Sequence, residues 1–114
     1  MTSHEIARYA GLTLRQVQWW CEAGILDPGA GARRREFSDD AAMRARLLSI
    51  LRRKGVSFQR LRELKFHLNG AAYALYDGRA LRWYDDAGEM IRAVCEAPAG
   101  CFVVASADLR RGFK

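Results

Sequence analysis

Long apolar runs are missing from the sequence: its longest uninterrupted apolar stretch, Ala71 to Tyr76, covers 6 of 114 residues, against the roughly 20 that a helix needs to cross a bilayer. A membrane-spanning helix is therefore not expected. The start, Met1-Thr2-Ser3-His4-Glu5, has no basic region leading into an apolar segment, so no secretory signal is expected either. Cysteine is scarce and odd in number, Cys21, Cys95 and Cys101 only, which argues against a disulfide framework and for free thiols in a reducing cytosol. Internal repeats and low-complexity runs are absent too. So are the residue sets that carry catalysis or hold cofactors: no Ser/His/Asp set, no paired catalytic carboxylates, no phosphate-binding loop and no zinc-helix motif, with His4 and His67 isolated. Neither an enzymatic activity nor a cofactor nor a metal is expected.

What is present is globular usage, 50% hydrophobic and 28% charged. The net charge of +6 is unevenly placed. Residues 1–68 hold 13 basic and 7 acidic side chains, whereas residues 69–114 hold 6 of each. A basic partner-binding surface thus belongs to the N-terminal part.

That part shows four segments of helical period. Ser3 ahead of Ile6, Ala7 and Ala10 opens the first, with Gly11 as its stop, and Thr13 with Gln16 three residues on is a capping-box signature for the second. At about 100° per residue, Leu14, Val17 and Cys21 fall within about 60° of one another, while Arg15, Gln18, Trp19 and Glu22 gather on a different arc. Trp20 lies nearer the core arc and Trp19 on the polar one. Gly24 ends the helix, Ile25-Leu26 anchors the chain, and Asp27 to Ala32 is too rich in Pro and Gly for regular helix. Arg33-Arg34-Arg35-Glu36-Phe37 follows as an extended basic arm. Ser38 caps a third helix with Met43, Leu47, Ile50 and Leu51 on its apolar side, and Ser57 starts a fourth that buries Leu61, Leu64 and Leu68.

At Asn69-Gly70 the period changes, which places a domain boundary there. Ala71 to Tyr76, Asp77-Gly78 and Arg79 to Tyr84 predict two strands joined by a two-residue type I′ turn. In that register Ala72, Ala74, Tyr76, Arg79, Leu81 and Trp83 share one face. Asp85 or Asp86 caps a helix with an apolar stripe of Ala87, Met90, Ile91, Val94 and Cys95. Cys101 to Ala105 is a third strand, and Ser106 to Phe113 a last short helical turn. The fold class expected is α+β: an N-terminal all-α domain, residues 1–68, followed by a small ββαβ module, residues 69–114, whose helix is expected to make a right-handed crossover. Cys95 on its stripe and Cys101 at its strand read as small packed hydrophobes rather than thiolate ligands.

Residues 1–64 resemble the MerR family of winged helix-turn-helix transcriptional regulators in the order and spacing of their motifs. Val17-Gln18-Trp19-Trp20-Cys21-Glu22 stands close to the family's Leu-Arg-Tyr-Tyr-Glu, and Gly24-Ile25-Leu26-Asp27-Pro28 to its Gly-Leu-Leu and Pro. Arg34-Arg35-Glu36-Phe37-Ser38 is similar to the wing's Tyr-Arg-x-Tyr-Ser, and Lys54-Gly55-Val56-Ser57-Phe58 to the Leu-Gly-Phe-Ser-Leu helix junction. Gln18 departs from the family's DNA-contacting arginine. Trp19 and Trp20 replace two tyrosines, exchanging phenolic hydroxyls for indole N–H donors with larger apolar faces. The long coiled-coil helix of many members is replaced by the break at Asn69-Gly70.

The resemblance implies a sequence-specific transcriptional regulator. Thr13, Arg15, Gln18 and Trp19 would lie on a recognition helix in the major groove, where Gln can read adenine, and Arg33, Arg34 and Arg35 on a wing over the backbone or minor groove. Candidate partners are double-stranded DNA, a second copy of the chain and RNA polymerase, with no membrane. A 46-residue module is near the lower limit for folding alone, so Leu81, Trp83, Phe102 and Val104 are candidates for a dimer or docking interface. Two other readings stay open: an excisionase-like architectural DNA-binding protein, and a protein-interaction adaptor that uses the C-terminal module.

Overall fold

The structure, a computed structural model, describes residues 1–27, 36–64 and 71–110. The chain divides into two compact units, Met1–Glu63 and Leu64–Arg111. The expected boundary at Asn69-Gly70, the wing arginines, His67 and Leu68 lie outside the described residues. Among the described residues, no helix is long and apolar enough to cross a membrane.

The first unit is built from α1 (Ser3–Ala10), α2 (Leu14–Glu22), α3 (Asp39–Arg53) and α4 (Phe58–Glu63). Ser3 is the first residue of α1 and not its cap: Thr2 takes that place, its hydroxyl accepting the Glu5 N–H at 3.2 Å while the Glu5 carboxylate accepts the Thr2 N–H at 3.0 Å. Both boxes need a hydroxyl three residues before a Glu or Gln, and Thr2 meets that spacing with Glu5. Gly11 ends α1 in the left-handed region at φ +72°, where a side chain is disfavoured. The α1 and α2 helices are thereby joined by a turn of a few residues.

Helix α3 is the centre of this unit, packing on both α1 and α4. Its buried residues are accordingly wider than one stripe: Ala42, Ala45 and Leu48 are inside with Leu47 and Leu51, while Met43 and Ile50 are only half-buried. Two of its arginines fasten α1. Arg46 donates to the Tyr9 carbonyl at 3.0 Å and lies 4.8 Å above the Tyr9 ring, and Arg53 donates to the Ala10 carbonyl and the Ser49 hydroxyl, each at 3.1 Å. These cations satisfy orphan carbonyls at the negative end of α1. Burial pushes the Tyr9 hydroxyl above the usual tyrosine range, with Arg46 opposing the shift.

The second unit holds β1 (Tyr73–Tyr76), β2 (Leu81–Tyr84), α5 (Ala87–Glu96), β3 (Phe102–Ala105) and α6 (Ser106–Arg110). The sheet order is β2-β1-β3 with β1 antiparallel to both neighbours. The two edge strands therefore run parallel, and α5 carries the chain from one edge to the other.

The hairpin differs from the expected one. Tyr76 pairs with Leu81, leaving a four-residue loop from Asp77 to Ala80. A type I′ turn requires positive φ at both central residues; Gly78 has it, at +98°, but no described non-glycine residue does. Asp77 instead uses its carboxylate to accept the Arg79 and Ala80 N–H groups at 2.9 and 3.0 Å, a side-chain turn that outcompetes the tighter one. Because the pairing slips by two residues, the alternation survives. Ala74, Tyr76, Leu81 and Trp83 share a face, which Val104 and Phe102 extend opposite Ala74 and Tyr76.

Helix α5 is capped by Asp86, whose carboxylate accepts the Glu89 N–H at 3.1 Å. Its expected apolar stripe is not a core stripe: α5 contains no buried residue, Ile91 is 56% exposed and Cys95 is exposed. Its half-buried residues are Met90, Ala93 and Val94, followed by the C-cap Ala97, so α5 rests on the sheet along an arc rotated away from Ile91. Cys95 is thus not a packed hydrophobe, while Cys101 is partly covered. At the end of β3, the Ser106 N–H donates to the Ala72 carbonyl at 2.8 Å and its hydroxyl to the Ala71 carbonyl, while Leu109 of α6 is buried.

Candidate nucleic-acid interface

The interface is organised by how α2 begins. Thr13 caps it, its hydroxyl accepting the Gln16 N–H at 3.1 Å while the Gln16 side chain accepts the Thr13 N–H at 2.9 Å. This box fixes the rotation of the helix and satisfies two of its orphan donors. Val17 and Trp20 then point into the core, Trp20 being 2% exposed. Past the helix, the Ile25 and Leu26 N–H groups both donate to the Trp20 carbonyl, and Leu26 is buried as the anchor expected of it.

With Trp20 inside, the opposite arc faces outward. Arg15, Gln18, Trp19 and Glu22 are exposed and, with Thr13 and Gln16, line an open groove of about 510 Å³. This face carries a guanidinium, an amide, a carboxylate and an indole. The first three can address guanine, adenine and cytosine edges. Trp19 is 53% exposed, but one face of its ring is covered: Phe58, the first residue of α4, stacks on it with centroids 4.4 Å apart and planes 3° from parallel.

Of the expected site residues, Thr13, Arg15, Gln18 and Trp19 come together on α2, with Thr13 already engaged as a cap. Arg33, Arg34 and Arg35 lie outside the described residues. Where the arm rejoins the described chain, Glu36 forms a bridge with Thr2 and pairs with the N-terminal ammonium at 3.2 Å, while Phe37 is buried. In the second unit, Val104 is 6% exposed and buried within the unit; Leu81, Trp83 and Phe102 are half-buried, with Phe102 against Tyr76 at 5.4 Å. Phe58 had no local sequence signal, since its partner is 39 positions away and only tertiary packing brings the rings together. Among the described residues, no group of three or more His, Cys, Asp or Glu side chains could hold a metal ion.

Two capped helices joined by a glycine turn, the second presenting an exposed polar face, form a helix-turn-helix arrangement. Residues 1–66 match the model of the MerR HTH family of regulatory proteins. The matched segment is more than half of the 114 residues, and the chain belongs to that family, whose class is the DNA-binding transcriptional regulator. A comparison with curated proteins gives no match to the chain.

Proposed function

We propose that this protein is a sequence-specific regulator that lays α2 in the major groove, with Arg15 and Gln18 on base edges and Arg33, Arg34 and Arg35 of the wing on the backbone or in the minor groove. The observation that carries this reading is the outward arc of α2, where the capping box and buried Trp20 leave Arg15, Gln18 and Trp19 exposed together. Arg46 and Arg53 are committed to α1 carbonyls, so neutralisation of phosphates falls more heavily on the remaining cations, the wing among them. Two copies would read a two-fold site, with residues 69–114 as the pairing module. The exposed row Ala87, Ile91 and Cys95 on α5 supports that placement better than Val104 does.

The test is binding to duplexes selected from a random library and to scrambled duplexes, across a salt series, by fluorescence anisotropy. Contact with about six phosphates weakens binding on the order of 10³-fold between 50 and 200 mM salt. Arg35→Ala should weaken all duplexes alike and flatten the salt slope, while Gln18→Ala should lose about 1–3 kcal/mol of preference at a single base pair. Equal losses on selected and scrambled DNA for Gln18→Ala would remove α2 from the reading role. Absence of any salt-dependent binding would favour the adaptor reading. Monomer sedimentation at tens of micromolar would remove the pairing.

A further inference from the structure

Trp19 is the one large apolar group on an otherwise polar reading face, and its geometry is fixed. Stacking on Phe58 at 4.4 Å and 3° covers one ring face and limits the indole to a narrow range of orientations, so little side-chain freedom is left to lose on binding. The other face and the ring edge account for its 53% exposure. They open onto the groove that Thr13, Arg15, Gln16, Gln18 and Glu22 also line. Arg15 and Trp19 are four residues apart on α2 and so neighbour each other on one helical face. A face that places Arg15 and Gln18 against base edges brings the free indole to the same depth.

The major groove offers one apolar group to such a surface, the C5-methyl of thymine. We infer that Trp19, positioned by Phe58, is the thymine-methyl reader of this protein, selecting thymine at one position per half-site by apolar contact. This rests on the proposed placement of α2. Trp19 is the contacting residue and Phe58 the positioning residue behind it. The alternative role for an indole at this place is donation of its N–H to a phosphate, which would be indifferent to the base.

Thymine and uracil differ in this methyl alone, so replacing each thymine of a library-selected duplex by deoxyuridine, one at a time, isolates the contact. At one thymine per half-site, wild type should bind the uracil duplex roughly three- to tenfold more weakly, the scale expected for one buried methyl in a tight contact. Trp19→Ala should bind both duplexes within twofold of each other. Trp19→Phe, which keeps an aromatic face and removes the N–H, should keep the thymine preference, whereas an N–H to phosphate contact predicts uniform weakening without any preference. Phe58→Ala should reduce the thymine-to-uracil ratio while leaving the salt slope unchanged, with Phe58→Leu and circular dichroism as checks that α4 stays folded. Selected duplexes in which every uracil is tolerated within twofold would overturn the inference and leave the regulator reading intact. So would a thymine preference that persists in Trp19→Ala. Equal affinity of wild type for selected and scrambled duplexes would overturn both.

Discussion

Helix α3 in the first unit hides Ala42, Ala45, Leu47, Leu48 and Leu51 and fastens α1 through two arginine bonds to its carbonyls, whereas α5 in the second unit buries no residue and leaves Ile91 56% exposed. Both helices have a sound N-cap, Ser38 for α3 and Asp86 for α5. Capping therefore does not separate them; what lies around them does. A helix enclosed by two others draws its stability from burial, while one resting on a three-stranded sheet retains an apolar row for something else. The family match covers residues 1–66 and hence the enclosed helix, and the pairing proposed for residues 69–114 would make use of the open one.

The sharpest way to break this contrast is to cut the same kind of side chain from each helix. Leu51→Ala, at a position with no exposure, should cost about 2–5 kcal/mol through lost transfer energy and the cavity left behind. Ile91→Ala should change stability by less than about 0.5 kcal/mol. Urea denaturation of both variants at low protein concentration provides the measurement. If Ile91→Ala were as damaging as Leu51→Ala, and more so as concentration rises, a second copy covers α5 in solution.

Much of this contrast is legible in the sequence. The Thr13 and Ser38 caps, the inward Trp20 and outward Trp19, and the half-alternating strands all follow from periods of 3.6 and 2 and from cap chemistry, which are local. The failures are non-local. The spacing in α3 predicts a single stripe because a period cannot say how many neighbours a helix has, and for that reason it leaves out the buried Leu48. The stripe of α5 read as core because apolar spacing reports what a face could bury and not whether anything covers it. The Asp77-Gly78 pair predicts the hairpin but too tight a loop, since the carboxylate bonds to Arg79 and Ala80 offer a wider closure that a dipeptide turn signal does not report. Phe58 behind Trp19 could not be foreseen at all.

A second comparison sets two glycines of positive φ against each other, Gly11 after α1 at +72° and Gly78 in the hairpin at +98°. A Cβ at Gly78 would meet nothing within 4 Å, while one at Gly11 would come within 2.6 Å of the Arg53 guanidinium. Both alanine variants carry the left-handed penalty of about 1–2 kcal/mol. Gly11→Ala should cost more, because Arg53 must also leave the Ala10 carbonyl and Ser49. In an Arg53→Ala background the excess should vanish, a coupling that a double-mutant cycle on thermal melts reads directly.

The smallest expected effect lies in the hairpin and depends on pH. The backbone N–H groups of Ala80 and Arg79 hold the Asp77 carboxyl below the usual carboxylate range, with Arg82, 3.4 Å away, adding to the shift. A carboxyl whose folded value is depressed stabilises the fold fully above its ordinary value of about 3.9 and loses that contribution as pH falls through the lower folded value. The four-residue loop should consequently stay closed at pH 5 and loosen only under more acidic conditions. In an NMR titration, the Arg79 and Ala80 amide resonances should move together with the Asp77 carboxyl carbon, at a midpoint below 3.9. In Asp77→Asn, which keeps an acceptor oxygen but cannot titrate, the amides should stay in place over the same range. Amides moving at the ordinary midpoint, or moving equally in Asp77→Asn, would show that the loop is closed by Gly78 and the strand ladder, and that the carboxylate is a bystander.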